Sequence, residues 1–359
     1  MYMIIIIVYF IICLLILFYT ISYIFYQSYY DFREAHHIRK FTSMISDQHR
    51  LVRDSGYIDR NHRNLLSKRL KKTNQLIAFE KALNQLEKGD TTTNTLYLKQ
   101  LEPVILELVI HYRFHDQMIR AYLAYFIATY AKDNWRDPFI FRTLFSYMDD
   151  ATIYLRQNVL LAMYQQPDPK LISKAFHYLT ENNLFHHAKL IQDGLLKYPY
   201  DYETLIDTLW KESKTFHLSI VLGLIGFITY RSDRYKDTFY RMLQEKQVDL
   251  EIKTRLMRYF KKHHDVRVEP LLVSMASDIN PPIRIVAVNV LSEYPSEKVI
   301  ATLNEALTDD DWYVRRNASQ SLLAMNVSNL DDSDVLVSRV NDLEEVPHYH
   351  LSVEGGVNR

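Results

Sequence analysis

Between Ile4 and Ile24 the chain is built almost entirely of Ile, Leu, Val, Phe and Tyr, and no charged side chain occurs from Met1 to Tyr30. A helix of about 20 apolar residues is long enough to cross the hydrocarbon core of a bilayer, so this run predicts one transmembrane helix at Met3 to Ile24. Beyond it the apolar positions fall at helical spacing. Asn61 to Leu86 sets Leu65, Leu66, Leu70, Leu76, Ile77, Leu83 and Leu86 on one broad face and predicts a single amphipathic helix. Gly89-Asp90-Thr91-Thr92-Thr93-Asn94 has the composition of a linker. After it the pattern predicts helices at Thr95 to Tyr112, Asp116 to Tyr130, Asp137 to Tyr147, Thr152 to Met163, Pro169 to Leu179, His186 to Leu196, Tyr202 to Glu212, Leu218 to Ile228, Asp233 to Gln244 and onward. No window alternates with period two, so no sheet is expected. Most prolines sit at helix boundaries, whereas Pro103 is placed to kink or divide the helix that contains it.

A fixed period runs through the later helices. Asp278 and Asp309, Ile283 and Val314, Arg284 and Arg315, Ala287 and Ala318, and Leu291 and Leu322 each lie 31 residues apart. One period upstream stand Ile252, Lys253 and the bulkier Leu256, and Met148 to Val159 is a more distant copy. A period of this size is one helix pair with its turns, and such pairs bury their apolar faces by stacking. In this reading Ile283, Val314, Leu291 and Leu322 face the neighbouring pair, Ala287 and Ala318 permit close helix approach, and Asp278 and Asp309 cap helix starts. Arg284 and Arg315 then reach an acid in the same or the adjacent repeat.

These residues carry a resemblance. Ser274 to Met325, above all Asp309-Asp310-Asp311-Trp312-Tyr313-Val314-Arg315-Arg316-Asn317-Ala318, is similar to bacterial HEAT-like repeats, which also occur in phycobilisome lyase-type proteins. The resemblance implies an all-α fold, an alpha-alpha superhelix of the HEAT/armadillo kind, preceded here by the transmembrane helix. It implies a binding scaffold rather than lyase chemistry. The expected organisation is an anchor at 1–30, a basic juxtamembrane stalk or first solenoid helices at 31–90, a repeat domain at 91–345 and a loose tail at 346–359.

Charge then sets an orientation. Arg33 to Lys72 holds eleven Lys or Arg residues against four Asp or Glu, although the chain as a whole has a formal net charge of zero. An excess of cations beside a span stays in the cytoplasm, which places the repeat domain inside and the other end of the helix outside. Arg33, Arg39, Lys40, Lys68, Arg69, Lys71 and Lys72 form the membrane-proximal basic set, suited to anionic lipid. A cleaved signal peptide is disfavoured because the charged start, the short apolar centre and the small-residue cleavage site are all missing.

Little in the sequence points to catalysis. The only cysteine, Cys13, lies within the apolar run, so no intrachain disulfide or cysteine zinc site is expected. There is no His-Glu-x-x-His, glycine-rich phosphate loop or serine elbow, and Asp149-Asp150 and Asp309-Asp310-Asp311 read as turn-forming residues. No cofactor or metal is expected. Nucleic acid is disfavoured by the balanced charge, Arg315-Arg316 and Lys261-Lys262-His263-His264 being short basic fragments. The 27 tyrosines suit helix seams or a binding face. The expected function is therefore a non-enzymatic, membrane-tethered cytoplasmic scaffold for a protein partner, with an envelope glycosyltransferase or other membrane machinery suggested by the resemblance. Trp312, Tyr313, Arg316 and Trp135 are the candidate partner contacts. The alternative is a solenoid accessory to an enzyme or sensing a small molecule, with a pocket around Tyr112 to Tyr130 and Trp135-Arg136-Asp137.

Overall fold

Helix α1 runs without a break from Tyr2 to Ser55 and joins the apolar run directly to a packed helix face. At a rise of about 1.5 Å per residue it is far longer than a bilayer core. Its first part is wholly exposed and is apolar enough to cross a membrane, with a mean hydropathy of 3.1 over its best 18 residues. Its last part buries Phe41, Ile45, Gln48, His49 and Val52, one stripe at helical spacing. The helix stops at Gly56, whose φ of 78° is the left-handed conformation that glycine adopts without a Cβ penalty. The structure is a computed structural model that describes residues 2–87, 91–132, 134–149, 151–245 and 247–325. The expected capping helix at Asp334 to Glu344 and the tail at 346–359 lie outside these residues.

Every regular element among the described residues is helical. After α1 come α2 (Arg60–Arg69), α3 (Thr73–Glu87), α4 (Thr91–Lys99), α5 (Glu102–Tyr112), α6 (Gln117–Tyr130), α7 (Pro138–Phe145), α8 (Ile153–Tyr164) and α9 (Pro169–Glu181). They are followed by α10 (Ala188–Leu195), α11 (Tyr202–Lys211), α12 (Leu218–Arg231), α13 (Lys236–Gln244), α14 (Leu250–Lys262), α15 (Glu269–Met275), α16 (Pro281–Val290), α17 (Glu297–Ala306) and α18 (Trp312–Ala324). The chain divides into two units, one of Met1–Ala175 with Lys197–Asp201, the other of Phe176–Leu196 with Tyr202–Arg359.

In the first unit α1 packs on α3 and α4, α2 on α5, α5 on α7, and α6 on α8. Phe41, Phe79, Phe126 and Trp135 continue ring to ring through its core, with centroids 5.5, 6.2 and 5.9 Å apart. In the second unit each even-numbered helix from α10 to α18 packs on the next even one, and α11, α13 and α17 pack against the row. Contact between alternate helices is the arrangement of stacked helical pairs in which each repeat touches its neighbours.

Three local expectations change. Asn61 to Leu86 is two helices, because the chain turns at Leu70 to Lys72. Lys68 and Arg69 fall in the last turn of α2, where cations are favoured, and Tyr112 donates to the Leu70 carbonyl at 2.8 Å. Thr91 to Asn94 is the first turn of α4 rather than linker, with Thr93 and Asn94 buried. Thr95 to Tyr112 is divided, and Pro103 stands in the first turn of α5, where its missing amide hydrogen costs nothing.

The seam between α2 and α4 holds a buried titratable pair. His62 Nε2 is 2.8 Å from the Tyr97 hydroxyl, and burial lowers its pKa to about 4, opposed by the Asp59 carboxylate. The unfolded chain takes up a proton on this ring as the pH falls through the ordinary imidazole range, while the folded chain does not until about pH 4. The contribution is thus present above pH 6.5 and is lost progressively down to the folded value, to a total of about 3 kcal/mol. Melting of the full chain in detergent should fall over this window, and His62→Asn should flatten the fall relative to the parent; superimposable pH profiles would refute the assignment.

Candidate functional site

The 31-residue signature residues occupy one seam. Ile283, Ala287, Leu291, Val314, Ala318 and Leu322 are all buried. Arg284 Nε and Nη2 donate to the two carboxylate oxygens of Asp309 in the next repeat at 2.8 and 2.9 Å. Its Nη1 donates to the Asp278 and Ile279 carbonyls at 2.9 and 3.3 Å. Arg315 makes the same turn contacts to the carbonyls of Asp309 and Asp310, at 2.7 and 3.0 Å. Arg156 bonds the Ala151 carbonyl in the distant copy. The Arg284 guanidinium holds the Asp309 carboxyl below its usual range, against the opposing effect of burial, and is itself raised by that hydrogen bond. Asp278 and Asp309 do not cap the helices: they accept from the amides of Asn280 and Asp311, both at 2.8 Å, inside the turn. Asp311 is the residue that caps α18, accepting from Tyr313 N and Val314 N. A carboxylate two residues earlier lies too far back to meet the first helical amides.

A second set of contacts ties helix ends together. The last carbonyls of an α-helix have no partner within it. In the second unit Arg231, ending α12, donates to Leu196 O after α10 at 3.0 Å. Lys262 and His263, ending α14, bond Tyr230 O and Thr229 O of α12 at 3.3 and 2.8 Å. Tyr294, after α16, donates to Phe260 O of α14 at 3.0 Å, and Ser321 of α18 to Val288 O of α16 at 2.8 Å. In the first unit Tyr147 donates to Val109 O of α5 at 2.6 Å and Tyr112 to Leu70 O.

This seam also takes one expected partner contact out of reach. Trp135 is fully buried and donates from Nε1 to Leu98 O at 2.8 Å, so it caps α4 and offers no surface to a partner. Trp312 is half-buried, Tyr313 is 58% exposed, and the Arg316 guanidinium lies 5.3 Å from the Trp312 ring centroid. Of the basic set, Arg33, Arg39, Lys40, Lys68, Lys71 and Lys72 are exposed and Arg69 is half-buried. The His37 pKa is lowered by burial first and then by the charges of Arg33, His36, Lys40 and Arg69.

A strongly basic groove was missed at the level of sequence. A groove of about 580 Å³ crosses four successive inner helices of the second unit: Lys189 and Gln192 from α10, Gly226, Thr229 and Tyr230 from α12, Arg255, Arg258, Lys261 and Lys262 from α14, and Asn289 of α16 with Glu293 just beyond it. Lys189 pairs with Asp193 at 2.9 Å, Lys261 with the Asn289 amide oxygen at 3.0 Å, and Lys262 lies 4.8 Å from the Tyr230 ring centroid. Among the described residues neither Arg255 nor Arg258 has a carboxylate partner; desolvation and the Arg255 charge lower the Arg258 pKa. The signal was the spacing of Arg255, Arg258, Lys261 and Lys262 along one helix face opposite Leu256, Met257, Tyr259 and Phe260. Gly226 admits the Gln192 side chain beneath the groove, since a Cβ there would come within 2.3 Å of it.

The first unit has two smaller features. Met118, Tyr122, Tyr125, Tyr154, Gln157 and Asn158 line an open cleft of about 470 Å³ on α6 and α8. A pocket of about 350 Å³ lies between α7 and α9, where Phe141, Phe145 and Leu171 form an apolar wall and Arg136, Arg142 and Lys174 supply cations beside the carboxylate of Asp168. No cluster of three or more His, Cys, Asp or Glu side chains suited to a metal occurs among the described residues.

The profile of the HEAT repeats family matches residues 256–346. No curated protein matches the chain. Among solved structures, human deoxyhypusine hydroxylase in complex with glycerol is similar, at 13% identity over 79% of this chain and 95% of that one, with a TM-score of 0.26. The match covers about a quarter of the chain, within the second unit, and the stacking of alternate helices there is consistent with a HEAT/armadillo-like solenoid.

Two predictions concern the seams. Arg284→Ala and Asp309→Ala should each lower stability by about 1–3 kcal/mol, since a charge-assisted bidentate pair that is largely shielded is lost. The double variant should cost less than the sum, and strict additivity in denaturant melts would refute the pairing. A Cβ at Gly223 would stand 2.6 Å from Ile191 Cβ and 2.8 Å from the Ala188 carbonyl, forcing α10 and α12 apart. Gly223→Ala should therefore destabilise by about 1–3 kcal/mol despite its better helix propensity, and an unchanged or raised Tm would count against so close an approach.

Proposed function

We propose that this chain is a non-enzymatic, membrane-tethered scaffold that holds a protein partner in a groove of its helical repeats. The groove across α10, α12, α14 and α16 carries the reading. It is open and long, it is built from side chains of four repeats, and two of its guanidiniums are engaged by no carboxylate among the described residues. Stacked repeats offer extended surfaces of this kind to partners. The exposed aromatic cleft of Met118, Tyr125 and Tyr154 supplies a second contact area in the first unit. Tyrosine and methionine are favoured at interfaces.

The tether in this proposal is α1, whose apolar part lies in the bilayer, and the cations from Arg33 to Lys72 put the repeats on the cytoplasmic side. Arg33, Lys40 and Arg69, whose charges act on His37, stand where anionic headgroups would meet them. Confinement to one membrane face raises the effective concentration of a partner on the same face, which favours membrane machinery, an envelope glycosyltransferase being one such partner. A second reading has its own observation: the pocket between α7 and α9, with Arg136, Arg142 and Lys174 above an apolar wall, suits a small anionic molecule.

Photo-crosslinking in membranes from Tyr154 and Tyr230 should capture one protein in stoichiometric amount, and protease added to sealed right-side-out vesicles should leave the repeats intact. Capture of no specific protein by a folded chain, with a metabolite instead raising its Tm, would replace the scaffold reading by the small-molecule one.

A further inference from the structure

We propose that the groove on α10, α12, α14 and α16 takes an extended acidic peptide segment of the partner, with its carboxylates seated on Arg255 and Arg258. This rests on the scaffold reading above and adds the chemistry of what is held. The lining presents Lys189, Arg255, Arg258, Lys261 and Lys262 against the single carboxylate of Glu293. Most of these cations have work within the fold: Lys189 faces Asp193, Lys261 faces Asn289, and Lys262 caps the Tyr230 carbonyl. Arg255 and Arg258 do not. They stand one helical turn apart on the same face, close enough for one charge to depress the ionisation of the other. A guanidinium fork meets a carboxylate through two parallel hydrogen bonds, so two neighbouring guanidiniums of like charge form a preset receiver for acidic side chains.

The dimensions favour a chain over other anions. Helices packed at about 8–10 Å make the span of four of them roughly 25–30 Å, the reach of about eight extended residues. A free phosphate would use a small part of this length, and a flat headgroup layer would not enter a groove. A nucleic-acid strand calls for a longer continuous basic strip and for several aromatic rings on which to stack bases; this lining has Tyr230 alone, with Lys262 4.8 Å from its ring centroid. The polar floor also fits a peptide. Asn289 keeps its amide donors while its oxygen accepts from Lys261. These donors suit a carbonyl of an extended backbone.

The test uses the full chain in detergent micelles and a fluorescein-labelled peptide of alternating Glu and Gly, read by anisotropy. The Glu peptide should bind, the matching Gln peptide should not, and binding should weaken several-fold as salt rises from about 50 to 300 mM. Arg255→Gln with Arg258→Gln should weaken it at least tenfold, and reversal of both to Glu should abolish it, with helical content unchanged by circular dichroism. Arg241→Glu, on α13 outside the groove, should leave it as it is. Absence of binding, or equal binding by the double variants, overturns the proposal. So does a single-stranded oligonucleotide or a phosphatidylserine vesicle that occupies the groove and excludes the peptide. The two readings separate as follows: a protein captured from Tyr230 that the Glu peptide fails to displace overturns the acidic chemistry and keeps the scaffold, whereas peptide binding without any captured protein does the reverse.

Discussion

The arrangement depends on what happens to the carbonyls at the ends of short helices. Helices α10 to α18 run for 7 to 14 residues, so the last turn is a large share of each. Left bare in a packed seam, such carbonyls would each cost about 1–3 kcal/mol. In the second unit the end of each inner helix donates to the end of the one before it, from Ser321 through Tyr294, Lys262 with His263, and Arg231 down to Leu196. Tyr147 and Tyr112 do the same between α7, α5 and α2. A hydrogen bond at a fixed offset sets the stagger between neighbours, which apolar contact alone leaves adjustable. The Arg284–Asp309 pair fixes the other ends of the helices in the same way.

This gives three of the buried tyrosines a role beyond aromatic packing. A phenol is long enough to cross from one helix end to the next, buries its ring on the way and finishes with a donor. Tyr112, Tyr147 and Tyr294 are all fully or almost fully buried while their hydroxyls are satisfied by main chain. Trp135 follows the same logic with its indole nitrogen, which is why a residue that looked suited to a partner lies inside.

Much of this organisation was legible in the chain. The period-31 residues mark buried seam positions because one backbone geometry recurs there, and the turn contact of Arg284 and Arg315 reappears at Arg156, in the distant copy read from Met148 to Val159. The apolar run of α1 was equally plain. What spacing could not reveal was the break at Leu70, set by a capping tyrosine 42 residues away, or the buried start of α4 behind a stretch that resembles linker. Asp311 rather than Asp309 caps α18 because the helix begins two residues later than the motif suggests. The basic groove was hidden for a related reason: its cations cluster on α14, but the walls that make a groove of them come from α10, α12 and α16.

The seam and the groove are linked through α12. Its polypeptide is the most apolar of the inner row, and Gly223 and Gly226 let α10 approach it closely. Glycine at Gly223 allows the approach, and glycine at Gly226 makes room for the buried Gln192 side chain to pack against α12. The end of the same helix carries Thr229 and Tyr230, whose carbonyls draw in His263 and Lys262 and so hold the basic end of α14 against the rim. With Lys262 committed there and Lys261 held by Asn289, the charge left without an internal partner is concentrated at Arg255 and Arg258. Two guanidiniums one turn apart repel each other, and a carboxylate seated between them would offset that repulsion.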